Sequence, residues 1–303
     1  MAVRDRRARL PAVGLFDLFL VYLVWGSTFL AMRVGVRPGS GVGPWWFGGT
    51  RVLVAGVLLV LVAWLARRRL RVPRAEWGPL VAAGILIWVG GHGLLLVAET
   101  QADSGYTALF IASFPLWAAL YDALLDRRAP SGRTVAALVV GLAGIGLLSY
   151  PNMGGGGLPA GIMLALFAAP IAWAAGFTLQ RRRVREAGTF IGTAVQHLGA
   201  VPVFFVVALV VREPVPAPAT DAALAWVYLV VFGSIAAYTA AVHAQRVLPA
   251  RIAETYAYVN PVVALALGHL LLDEPVASLS VVGAALVLLG VWGVFQAERP
   301  ARP

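Results

Sequence analysis

Ten apolar segments, each near the length that crosses a bilayer, leave this 303-residue chain few ways to fold. They run over about 13–32, 44–66, 79–98, 105–125, 134–150, 158–179, 190–211, 222–245, 252–272 and 279–296. The hydrocarbon core calls for about 20 apolar residues per helix and leaves no water to satisfy a stray backbone group. With 60% hydrophobic and 13% charged residues, the chain is also too apolar for an ordinary soluble domain. The expected class is an all-α integral membrane protein with ten transmembrane helices. The first segment has no small-residue cleavage site and nine more follow it, so it reads as a retained helix rather than a signal peptide.

A seam divides the ten. Residues 152–159 read Asn-Met-Gly-Gly-Gly-Gly-Leu-Pro, close to the midpoint, with five apolar segments on each side. Four consecutive glycines pack no surface and read as a link. Five crossings return a chain to the opposite side, so the second unit starts inverted relative to the first. The expected organisation is a basic tail at 1–12, a first repeat at 13–151, a linker at 152–158, a second repeat at 159–297 and a tail at 298–303.

Arginine fixes the count of crossings. All 24 basic residues are arginine, and ten crossings with the N-terminus inside put 20 of them in inner loops and tails. Only Arg33, Arg37 and Arg212 fall outside, and Arg51 lies within the second segment. That is a strong positive-inside bias, so both termini are expected in the cytoplasm, and the net charge of +10 suits anionic lipid headgroups rather than nucleic acid. Losing one crossing would put the later arginines on the wrong side.

The two halves echo each other weakly. Trp25-Gly26-Ser27-Thr28-Phe29 in segment one matches Trp173-Ala174-Ala175-Gly176-Phe177 in segment six. Phe114-Pro115-Leu116, followed by Asp126, matches Asn260-Pro261-Val262, followed by Asp273. Their common order supports a duplicated unit.

In these residues the chain resembles the drug/metabolite transporter superfamily, in particular ten-helix proteins built from two EamA repeats. The resemblance covers roughly 13–297 and rests on Trp25-Gly26-Ser27, Arg51, Pro115, Asn260-Pro261 and Asp273-Glu274-Pro275. The end of segment four departs from the family's glycine-glutamate pattern and reads Asp126-Arg127-Arg128. Within the superfamily the chain is most similar to the YddG-type amino-acid exporters. The resemblance implies a monomeric secondary transporter that exports aromatic or neutral amino acids, or related small metabolites, across the bacterial inner membrane by alternating access. Export of other metabolites or drugs, or lipid flipping, are the alternatives.

Helical spacing nominates the residues that line a pathway. Trp25 and Trp173, from equivalent helices, are expected to face one central cavity. Trp88 and His92 lie one turn apart in segment three, with Glu99 two turns beyond His92. Tyr106 marks the outer mouth of segment four, with Trp117 below it. Tyr256 and Asn260 share a face of segment nine. Aromatic walls suit an apolar or aromatic solute, and each of these side chains is equally consistent with helix packing. Pro115 and Pro261 are structural or gating positions, where a missing N–H bends a helix. Arg51 also belongs with the gating or structural residues: it meets a substrate carboxylate, pairs with Glu99, or snorkels to the outer headgroups.

The absence of cysteine excludes disulfides and thiol chemistry. No GxxxxGK[ST] loop supports an ATP-driven pump, and no clustered metal-ligand spacing or activated nucleophile supports an enzyme. The expected partners are membrane lipids and a small-molecule substrate, with no cofactor or metal.

Overall fold

A computed structural model of the chain describes residues 11–149, 157–248, 250–253, 255–276 and 278–297. Most of the glycine-rich link and both tails lie outside the described residues. Within them every regular element is helical. Seven helices are long and apolar enough to span a membrane: α1 (Ala12–Val36), α2 (Pro44–Leu65), α3 (Arg74–Glu99), α4 (Ser104–Leu125), α6 (Ala160–Arg183), α7 (Thr189–Val210) and α8 (Thr220–Val247). The other three, α5 (Gly132–Ser149), α9 (Tyr256–Leu272) and α10 (Ser278–Ala297), carry shorter apolar stretches. The ten form two inverted five-helix repeats of an integral membrane protein. Exposed side chains such as Phe16, Val57, Leu164, Val210 and Leu270 give the bundle the apolar exterior that lipid requires.

The repeats pack by a swapped rule. α1 packs on α8 and α9, while its equivalent α6 packs on α3 and α4. α2 packs on its own equivalent α7, and α5 on α10. This is the contact pattern of a pseudo-two-fold axis between the halves. The α5–α10 seam depends on glycine. A Cβ at Gly290 would sit 2.5 Å from the Gly141 Cα, and one at Gly144 would sit 2.7 Å from the Val287 nitrogen. The two backbones therefore touch, as small residues allow between membrane helices.

Three irregularities shape the middle of the bundle. α3 widens to π-helical turns over Ile85–Gly93, and its equivalent α8 does so over Leu229–Ala237. α4 is broken into Ser104–Ile111 and Phe114–Leu125. Pro115 opens the second piece, where the N–H it lacks has no helical partner to lose. The Ser113 amide and hydroxyl, at 3.1 and 2.6 Å, both satisfy the Phe110 carbonyl. Proline therefore starts a half-helix here.

Carboxylates from one repeat hold helix starts in the other. Glu213, just after α7, accepts the Trp45 and Trp46 amides of α2 at 3.0 and 2.9 Å. Glu76, in the first turn of α3, accepts the Arg185, Glu186 and Ala187 amides leading into α7 at 2.7, 2.9 and 2.9 Å. Glu274, after α9, accepts the Ser104 amide and hydroxyl and the Gly105 amide at the start of α4. Asp126, at the corresponding end of α4, binds Arg182 of α6 instead. The two repeat ends differ in role, matching their departure in sequence.

Candidate functional site

A central cavity lies where α1, α2, α3, α4, α6 and α9 meet. It opens about 30 Å3 to a water-sized molecule, room for a water and not for a solute. α1 contributes Trp25 because successive turns Val21, Trp25, Thr28, Phe29 and Met32 all face inward and are buried. The indole nitrogen of Trp25 donates to the Gly233 carbonyl at 3.4 Å, made accessible in the widened part of α8. Its ring stands edge-on to Trp173 of α6 at 6.3 Å and to Tyr256 of α9 at 5.1 Å. Phe114, at the start of the second half of α4, stacks on Tyr256 at 5.8 Å. His92 meets Trp173 at 4.4 Å.

Of the residues nominated from sequence, Trp25, His92, Trp173, Tyr256, Asn260, Arg51 and Pro261 come together on this cavity. Trp88 stands one layer behind, its ring 4.4 Å from His92, 4.1 Å from His197 and 5.4 Å from Tyr238. Tyr106 lines a separate cavity of about 200 Å3, beside Glu274. Trp117 donates to Ser113 in its own helix and does not reach the centre. Pro115 is buried next to Phe114.

Arg51 is 2% exposed, so it does not snorkel. Its Nε donates to Ser234 Oγ at 2.9 Å, and its guanidinium carbon lies 5.5 Å from the Trp88 ring centre. It forms no ion pair with Glu99, whose two carboxylate oxygens have no hydrogen-bond partner. Arg51 Nη1 is also without one, as are His92 Nδ1, Trp173 Nε1 and Asn260 Oδ1, all on residues that line the cavity. A buried guanidinium with an unused donor costs several kcal/mol unless an anion compensates it.

A polar layer that sequence reasoning passed over supports this cavity. His197 of α7 accepts no donor at Nε2 and donates Nδ1 to the Thr193 carbonyl at 2.8 Å. Gln196 accepts from Tyr238 at 2.9 Å and donates to Gln180 of α6 at 3.0 Å. Both lie in an apolar span, the same signal that singled out His92.

Bonds close the bundle at each end. Tyr22 meets Thr255 at 2.5 Å on the side of the N-terminus, and Asp122 there binds Arg181 and Arg182 at 2.5 and 2.8 Å. At the other end Arg33 donates to the Glu99 carbonyl at 2.6 Å, and Arg37 pairs with Asp221. With these contacts at both ends and no room for a solute in the cavity between them, this arrangement is the contracted form.

The chain matches the EamA-like transporter family twice, over residues 12–150 and 160–296. It is 34% identical over 306 residues to the uncharacterized inner membrane transporter YedA of Escherichia coli (strain K12), covering 98% of this chain and 95% of that one. It is 23% identical over 301 residues to the uncharacterized transporter sll0355 of Synechocystis, covering 93% of this chain and 89% of the relative. A solved crystal structure superposes on 92% of this chain and 95% of its own, with TM-score 0.63 at 23% identity, a likeness of fold alone.

Proposed function

The chain belongs to the EamA-like transporter family and is a multi-pass inner-membrane transporter; from that premise we propose that it exports aromatic or neutral amino acids by alternating access. One observation carries this reading: an unused guanidinium donor on Arg51 and an unused acceptor on Asn260 border the same aromatic cavity. An α-amino acid carries the matching pair, a carboxylate for Arg51 and an ammonium for the Asn260 carbonyl. Trp25, Trp173 and Tyr256 suit its apolar or aromatic side chain. A cationic drug fits poorly, because it would meet Arg51 with no anion between them.

Export is the direction that the family resemblance implies, and the orientation assigns each set of contacts to a side of the membrane. With 20 of 24 arginines on the side of the termini, both termini are cytoplasmic. The Asp122–Arg181 and Asp122–Arg182 pairs then close the inner end, and the Arg37–Asp221 pair closes the outer end. Export is the cycle in which the inner pairs open first, the solute reaches Arg51, and the outer end opens after the inner one has closed.

Reconstituted protein in sealed vesicles tests the reading by counterflow of phenylalanine, tryptophan and alanine. Saturable exchange that Arg51→Gln abolishes supports it. Intact protein that exchanges none of the three sinks the amino-acid assignment and points to another anionic metabolite or to lipid.

A further inference from the structure

Two buried carboxylates sit at the outer end of the bundle, and the structure treats them oppositely. Glu274 accepts three donors from Ser104 and Gly105 at 2.8 to 3.1 Å. Glu99, fully buried, receives none at either oxygen. It ends α3, one turn beyond Leu95, which lines the central cavity.

Arg33 and Arg51 face Glu99 with opposite charge, but neither donates a hydrogen bond to its carboxylate. Arg33 of α1 spends its Nη1 on the Glu99 main-chain carbonyl, and Arg51 of α2 spends Nε on Ser234. Glu274, beyond α9, adds like charge. His92 lies two turns away on the same helix, and α6 carries ionisable groups only at Arg181, Arg182 and Arg183, at its far end. Burial, with Glu274 beside it, already holds the Asp103 carboxyl above its ordinary value, against the pull of Arg33. An ionised carboxylate with no donor in such a place costs several kcal/mol. A metal cation needs about six oxygen ligands, and among the described residues no cluster of three or more His, Cys, Asp or Glu is placed to hold one. The ligand that fits is a proton.

We propose that Glu99 carries a proton in the contracted form and is the site at which export is coupled to an inward proton gradient. The contracted cavity has no room for a solute, so this form belongs to the return of the unloaded carrier. When the inner end opens, water reaches Glu99, the proton passes to it, and the carboxylate is regenerated. The loaded carrier then moves outward without that proton, and a proton from outside water reoccupies Glu99 before the return. Each cycle exchanges one proton in for one solute out.

The coupling rests on the transporter reading, and phenylalanine serves as the probe. In vesicles bearing a gradient of one pH unit, one proton per solute sustains up to about tenfold accumulation. Glu99→Gln, the neutral isostere, should fold normally, keep phenylalanine counterflow, which bypasses the unloaded return, and lose that accumulation entirely. Glu99→Asp should retain part of it. Infrared spectra of the purified protein at neutral pH should show a neutral carboxyl band that Glu99→Gln removes. Absence of that band, or wild-type accumulation that Glu99→Gln leaves intact, overturns the proposal. If phenylalanine counterflow fails in the wild type, the amino-acid assignment falls, and the infrared band alone decides the proton site.

Discussion

Glu213 stands to α2 as Glu76 stands to α7: each carboxylate, just after α7 or near the start of α3, accepts the free amides at or leading into a helix of the opposite repeat. The pairs lie at opposite ends of the bundle, as an inverted duplication requires. Each also ties the halves together, Glu213 at the start of α2 and Glu76 of α3 at the approach to α7.

Removing either charge should therefore cost similar stability. Glu213→Gln and Glu76→Gln are each expected to lower unfolding free energy by about 1–2 kcal/mol, the worth of a charged helix cap. The sites are far apart and share no partner, so the double variant should lose about the sum. Thermal unfolding in detergent measures this. A double variant no weaker than either single one would mean that the two caps do not act independently.

The α5–α10 seam makes a sharper demand. Gly290→Ala places a methyl group 2.5 Å from the Gly141 Cα, and backbone cannot step aside as a flexible side chain can. The expected loss is about 1–3 kcal/mol, the cost of overpacking. Gly146→Ala, on the same helix α5 with open space around it, should be neutral or stabilising. Equal effects at the two glycines would show that helix propensity, not contact, governs both.

Much of this architecture was legible in the chain, and what was not has definite physical causes. The ten crossings follow from apolar run length and arginine placement, and the pairing of Trp25 with Trp173 follows from the duplicated motif. The stripe through Trp88 and His92 misleads because it assumes 3.6 residues per turn. Ile85–Gly93 is π-helical, which puts more residues in each turn and narrows the angle between them, so His92 reaches the cavity and Trp88 turns behind it toward His197. Gln196 and His197 carry the same local mark as His92, polar residues in an apolar span, but their partners Tyr238, Gln180 and Trp88 come from other helices and appear only once α7 is packed. The partnerless state of Glu99 is likewise visible only when its neighbours are in place.

Arg51 offers a test in which stability and transport move apart. Its guanidinium is buried with one donor unused, so Arg51→Gln should hold or raise thermal stability. Amino-acid counterflow should fall by about a hundredfold, the scale of a lost charge-assisted pair of about 2–3 kcal/mol. Arg51→Lys should recover only part, since an ammonium cannot offer the guanidinium's fork. Transport lost together with folded yield would assign Arg51 a structural task alone.

The inner closure can be opened on paper by two substitutions. Asp122 and Asp126 of the α4 end grip Arg181 and Arg182 of α6, across the two repeats, at a surface open to water. Exposed pairs contribute little to stability, about 0–1 kcal/mol. In the proposed alternating-access cycle their effect is larger in kind, because inner opening would break them. The hydrogen bond from Arg182, with Arg128 and Arg181 nearby, holds the Asp126 carboxyl below its ordinary value. A lowered value means that its contribution is complete above the ordinary aspartate range near about 3.9 and fades only as pH falls through the lower value. Acidification from neutral to about pH 5 should therefore leave this closure intact, whereas Asp122→Asn with Asp126→Asn should release it at every pH. The chain contains no cysteine, so one introduced at Thr178, buried on α6 beside the inner arginines, reports the change without background. Labelling there, taken relative to a fully exposed cysteine labelled at the same pH so that the thiol's own titration cancels, should accelerate severalfold in the double variant and stay constant from neutral to about pH 5 in the parent. Labelling indifferent to both substitutions would mean that the inner end is held shut by Tyr22 and Thr255 instead.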